Sequence, residues 1–149
     1  MAIKTLPGKG TLLQLLVSSI YYTIGQRVSI DGPEPELKMR DVTNLDSPMV
    51  CSRPAIPDPG KISGQCFFDP NDSTTTVNHP MLRAKVMTPP STPDTFKLVY
   101  ADGFTSPAND VFQGFLTKWK VGGMETQSSV TTDWEIQITD SFVANLGSP

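Results

Sequence analysis

The chain has 149 residues, 38% of them apolar and 18% charged, with a formal net charge of −3 and a pI near 5.0. That is enough for one domain of ordinary size, and the acidic balance argues against a protein that grips nucleic acid, which needs a basic face to displace counterions from phosphates. The 14 prolines and 11 glycines are above average but short of a disordered composition, so the expectation is a folded, β-rich domain with long loops.

Residues 1–10, MAIKTLPGKG, read as an N-terminal arm, because Pro7-Gly8 and Gly10 break regular structure. This start lacks the charged, apolar and small-residue pattern of a signal peptide. Cys51 and Cys66 are therefore expected as reduced thiols made in a cytoplasm. Thr11 to Val17 is nearly continuously apolar, which suits a strand buried on both faces or, by period alone, a helix. The apolar run Leu12 to Ile20 is too short to span a membrane and is interrupted by Gln14, Ser18 and Ser19. In YYTIGQRVSI, Tyr21 to Ile30, the second half alternates, with Arg27 and Ser29 against Val28 and Ile30.

After the break at Asp31-Gly32-Pro33, Leu37 and Met39 share one face of a strand and Lys38 and Arg40 the other. Val42 falls out of phase, which fits a bulge or a strand covered on both sides. Residues 44–60 carry Pro48, Pro54, Pro57 and Pro59 and read as a long loop. Its Leu45, Met49, Val50 and Ile56 argue against simple disorder and for a surface built to touch something.

KISGQCFF, Lys61 to Phe68, resumes as a strand. Val77, Met81, Leu82 and Val86 then fall at helical spacing, with Asn78 or His79 as cap, Pro80 in the first turn and an end near Met87; a start near Asp72 is the alternative. Residues 88–94 form a second stiff loop. Phe96, Leu98 and Tyr100 alternate, as do Phe115, Thr117, Trp119 and Val121, and then Trp134, Ile136 and Ile138. The last two runs are expected to pair antiparallel through GGMETQSSV, and the tail SFVANLGSP is weak.

No pattern points to catalysis or a metal. His79 is the lone imidazole, and its place beside Pro80 at a helix start suits capping or exposure better than a triad. Asp69-Pro70-Asn71-Asp72 lacks the spacing, glycine and terminal glutamate of a calcium loop, and a turn explains it. Gly8-Lys9-Gly10 lacks the phosphate-loop spacing. Lys118 and Lys120 beside Trp119 suit a solvated or guarded strand edge better than base stacking. No enzyme and no cofactor are expected.

Two ordered motifs carry a resemblance. SIDGPEPELKMRDVTNLDSP supplies Asp41, Val42, Thr43, Asn44, Asp46, Ser47 and Pro48, and PGKISGQCFFDPND supplies Asp69, Pro70, Asn71 and Asp72 just before the helix. With the late hairpin FQGFLTKWKVGGMETQSSVTTDWEIQIT, this order resembles the major tail tube proteins of long-tailed, siphovirus-type bacteriophages across roughly residues 11–140.

The resemblance implies a mainly β subunit: a β-sandwich or partial barrel of two antiparallel sheets with one flanking α-helix, occupying residues 11–149. Six copies would form a ring that completes a β-barrel, and rings would stack into the tail tube of the virion. Assembly would take place in the host cytoplasm around the tape-measure protein, with the tail tip or baseplate and the terminator as further partners. DNA would pass without specific binding, which suits a net-negative ring. Asp41, Thr43, Asn44, Asp69 and Asp72 are then turn and strand-end residues. Leu45, Asp46, Ser47, Pro48, Met49, Val50 and Ile56 are the expected contacts between rings or subunits. A tail terminator or other ring-forming tail component, and a monomeric binding β-sandwich, are the competing readings.

Overall fold

The computed structural model describes residues 6–25, 27–71, 77–126 and 129–149. Asp72 lies outside them. The described residues form nine strands and one helix, in chain order β1 (Leu12–Val17), β2 (Ile20–Thr23), β3 (Arg27–Asp31), β4 (Met39–Asp41), β5 (Ser52–Pro54), β6 (Lys61–Phe67), α1 (His79–Met87), β7 (Asp94–Val99), β8 (Asn109–Gly122) and β9 (Thr131–Asn145). Seven strands build one sheet in the order β2-β1-β7-β8-β9-β6-β3, and β4 and β5 form a separate two-stranded sheet. Every pairing is antiparallel. Among the described residues the architecture is mainly β, with two antiparallel sheets and one helix, and β2 and β3 are the sheet's open edges.

The large sheet curls. Flat neighbours stand about 4.8 Å apart, yet Ser29 and Ile30 of β3 line one groove with Leu98 and Tyr100, four strands away. Inside the curl lies a core of Leu13, Leu15, Ile62, Phe96, Leu98, Phe112, Leu116, Trp134, Ile136 and Ile138. These occupy alternate positions along their strands, as a two-residue period requires. β1 buries Leu13 and Leu15 fully and leaves Leu12, Gln14 and Leu16 half-buried, so only one of its faces is sealed in the subunit.

The alternating stretch after β1 holds two separate strands, β2 and β3. Ser18 and Ser19 take φ of 50° and 67° and close β1 onto β2 with Val17 opposite Ile20, the positive-φ pair a two-residue hairpin demands. The turn lacks the usual Asn-Gly, so the sequence does not announce it.

β8 corrects the expected face. Phe112, Gly114 and Leu116 point into the core and Phe115 to the other side. The register slips between Leu116 and Lys118, leaving Thr117 as an extra residue. The bulge rephases the strand, so Trp119 comes opposite Trp134 on the core side without sharing a face with Phe115. A second slip lies between Phe112 and Gln113, where Asp140 adopts φ of 63° and β9 continues to Asn145. The tail expected to be weak is therefore strand in its first part. It carries Phe142 onto Phe112, which in turn stacks on Phe96, with ring centroids 6.2 Å and 5.7 Å apart.

The helix starts where capping chemistry places it. Asn78 Oδ1 accepts the Met81 amide at 3.0 Å, and Pro80 costs no hydrogen bond in the first turn. Leu82 and His79 are buried against the sheet.

Candidate self-assembly interface

Between β3 and β6 the chain leaves the large sheet as an arm and returns. The neck is narrow. Gly32 has φ of 104° and Gly60 φ of 80°, and a Cβ on Gly60 would sit 2.0 Å from the Glu34 carbonyl oxygen. Only glycine permits that approach in that conformation. The neck is tied to β9, since the Gly60 carbonyl accepts the Ile138 amide at 3.1 Å and Gln137 Nε2 at 2.9 Å.

Beyond the neck a two-stranded ribbon runs outward. Glu36 and Asp58 exchange backbone bonds of 2.8 Å each, the Ala55 amide donates to Lys38 O at 2.8 Å, and the Val42 amide donates to Cys51 O at 3.0 Å. The β4–β5 register pairs Met39 with Pro54, Arg40 with Arg53 and Asp41 with Ser52 without a slip. No bulge sets the phase of Val42. The 44–60 segment is thus partly a strand, and its Pro54 sits in an exposed ribbon strand, where a missing N–H is tolerated.

The tip is held by side-chain bonds to backbone. Asp41 Oδ1 accepts the Thr43 amide at 2.8 Å, and the Thr43 hydroxyl, then its amide, hold the Asp41 carboxyl below the usual range. The Thr43 hydroxyl accepts the Cys51 amide at 2.7 Å. Asn44 Oδ1 accepts the Asp46 amide at 2.9 Å and the Ser47 hydroxyl at 3.1 Å. These are the local bonds by which Asp, Asn, Ser and Thr shape turns. Asp69 does the same before the helix, accepting the Asn71 amide at 3.0 Å.

The structure brings Leu45, Asp46, Ser47, Pro48, Met49 and Val50 together at the arm tip, with Ile56 on the shaft. Leu45 and Ile56 are 105% and 92% exposed, and Met49 and Val50 more than two-thirds so. Asp46 and Pro48 are exposed and Ser47 half-buried. Leu37 and Met39 on the shaft add to this apolar surface, as their alternation signalled. The unpaired edges of β2 and β3 among the described residues and the Phe142 end of the phenyl row were missed, because an edge is defined only by which strands fail to find a neighbour.

His79 departs from the expected exposed or capping role. It is 1% exposed, its Nδ1 accepts the Asp69 amide at 3.1 Å, and its ring sits between Phe68 and Trp119. Nε2 faces the Gly25 carbonyl oxygen at 3.4 Å, so the proton belongs on Nε2 and the imidazole is a structural wedge. Among the described residues, no three His, Cys, Asp or Glu side chains form a group able to hold a metal. Cys51 and Cys66 are free thiols. Burial, and then the nearby Asp133, push the Cys66 thiol up to about 11. The Tyr100 phenol donates to Asp110 and is raised above its ordinary value, first by burial and then by that carboxylate. No helix among the described residues is long and apolar enough to cross a membrane.

No protein-family model and no curated relative matches the chain. Solved structures do match over nearly its whole length. A chain from the tail of an empty gene transfer agent particle, determined with helical refinement and C6 symmetry, has a TM-score of 0.72 at 15% identity, covering 95% of this chain and 99% of that one. A chain from the sheath/tube terminator of an extracellular contractile injection system in its extended state also reaches 0.72, at 7% identity over 97% and 99%. A chain from the sheath–tube complex of such a system reaches 0.71, at 10% identity over 95% and 92%. The fold is that of tail and tube components from phage-like particles and injection systems.

Proposed function

We propose that this chain is a non-enzymatic structural subunit of a phage-type tail tube: six copies close a ring, rings stack into a hollow tube, and the tube forms the tail of a virion. The observation that carries the reading is the end-to-end likeness to a chain from a helical, C6-symmetric tail. The subunit supports it physically. A curled sheet with open edges at β2 and β3 invites edge pairing between copies, which removes those edges and widens the barrel. The arm, with Leu45, Met49 and Val50 at its tip and Ile56 on its shaft in water, gains about 1.5–3 kcal/mol per fully covered side chain on docking. Residues 11–149 act as the tube domain, with 1–10 as an arm. The finer assignment to a long-tailed, siphovirus-type tail, with a tape-measure protein inside during assembly and DNA passing later, rests on the 41–48 and 69–72 motifs.

A second reading is a terminator or another ring-forming tail part, favoured by an equal likeness to a chain from a tube terminator assembly. Electron microscopy of the purified protein at rising concentration, with sizing in solution, separates the two. Long hollow tubes support the tube subunit, single rings that never stack support the terminator, and a strict monomer sinks both.

A further inference from the structure

The arm carries its charges in like-signed pairs. Arg40 and Arg53 stand directly opposite across the β4–β5 ladder, and Lys38 lies two residues before Arg40 on the same side by alternation. All three are exposed. Among the described residues the ion pairs are Lys61–Glu135 and Lys85–Asp94, so none of the three cations has one. Asp41 falls on the opposite side and is engaged by Thr43, and the nearest acid on the cationic side is Glu36, two residues before Lys38. Nearer the neck the sign reverses. Glu36 pairs directly with Asp58, and Glu34 and Asp58 line the same surface groove with it; Lys61 also lines that groove but is paired with Glu135. Like charges directly opposite are unfavourable within an isolated ribbon. Each cluster is therefore a local cost that an opposite charge from outside the chain would relieve. The chain itself presents that opposite charge, one ribbon segment away.

We propose that neighbouring copies engage arm to arm in head-to-tail fashion, the Lys38–Arg40–Arg53 face of one lying on the Glu34–Glu36–Asp58 root of the next. The inference deepens the tube reading and rests on it. A head-to-tail contact uses two different patches of one chain and so repeats from copy to copy until it closes a ring or, where it does not close, extends along a tube, whereas a self-complementary patch would stop at a dimer. Charge pairing sets register and partner choice, and the apolar tip adjoining the cationic face supplies contact area. In an acidic chain, three cations without an ion pair on one projecting ribbon also keep two arms from docking cation to cation.

The test is sedimentation and electron microscopy of three variants against the wild type, with melting curves as folding controls. R40E/R53E and E36K/D58K should each fold and each raise the critical concentration for assembly at least about tenfold. The four-way reversal R40E/R53E/E36K/D58K should return it to within about threefold of wild type, which a merely structural role for these residues would not produce. Wild-type assembly should weaken as salt rises. The arm contact is overturned if either double reversal assembles like wild type, or if both fail and the four-way variant does not recover while the wild type forms tubes. A wild type that stays monomeric at every concentration overturns the tube reading and this contact with it.

Discussion

His79 meets Trp119 edge-on, with ring centroids 5.6 Å apart, and so joins the first turn of α1 to the rephased half of β8. The contact exists because the bulge at Thr117 turns Trp119 inward. Replacing His79 with Ala would open a cavity and leave the Asp69 amide without its acceptor. The expected loss is about 2–4 kcal/mol of unfolding free energy. Urea unfolding of the dispersed subunit measures it, and a loss under about 0.5 kcal/mol would show that the wedge carries no weight.

Gly60 predicts the rigidity of the arm. An added Cβ would meet the Glu34 carbonyl at 2.0 Å in a backbone conformation that disfavours side chains. Gly60→Ala should cost more than about 1 kcal/mol and expose residues 34–58 to protease well before the large sheet is cut. Equal cleavage rates in mutant and wild type would mean that the neck does not set the arm's position.

Leu45→Asp separates folding from assembly. The side chain is fully exposed, so the change should move subunit stability by no more than about 0.5 kcal/mol. Stacking should be lost, because a carboxylate would enter an apolar contact without a partner. Tubes of normal length from this variant, seen by electron microscopy, would remove the arm tip from the interface.

The two thiols should behave differently. Cys66 is buried and its ionisation is pushed up to about 11, so the folded protein should resist a thiolate-specific reagent there at pH 8, while half-exposed Cys51 reacts. One thiol per chain in buffer and two in denaturant is the expected count. The sign for stability follows. The unfolded thiol ionises near ~8.5 and the folded one about 11, so the folded state holds more protons between those values. Stability is full below the lower value and falls as pH rises through the upper one. Tyr100, also raised, adds a loss of the same sign that begins as pH passes its ordinary value of about 10. Cys66→Ser should flatten the slope between about 8.5 and 11.

Much of the secondary structure was legible because its cues are local. Asn78 and Pro80 mark the start of α1, Phe96 and Leu98 alternate with polar neighbours, and Trp134, Ile136 and Ile138 mark the core face of β9. The errors fall where a local rule meets a non-local one. β8 could not be phased across Thr117, since a bulge depends on the partner strand's register. The Ser18–Ser19 hairpin uses residues that rarely take positive φ and are held there by the pairing on either side. His79 looked like a surface residue beside a cap, and its burial comes from Phe68 and Trp119, neither of which is near it on a helical face.

By itself the sequence determined an acidic, β-rich chain with one capped helix, an apolar-tipped, proline-stiffened segment at 44–60, and turns held by Asp41, Asn44 and Asp69, because period, capping and turn chemistry act over a few residues. Tertiary structure alone decided that this segment is a ribbon standing off the sheet, that Arg40 faces Arg53 and Glu36 faces Asp58, and that β2 and β3 end as open edges. The reason is physical. Which residues stand opposite one another is set by strand register and sheet closure, and those depend on contacts between residues tens of positions apart in the chain.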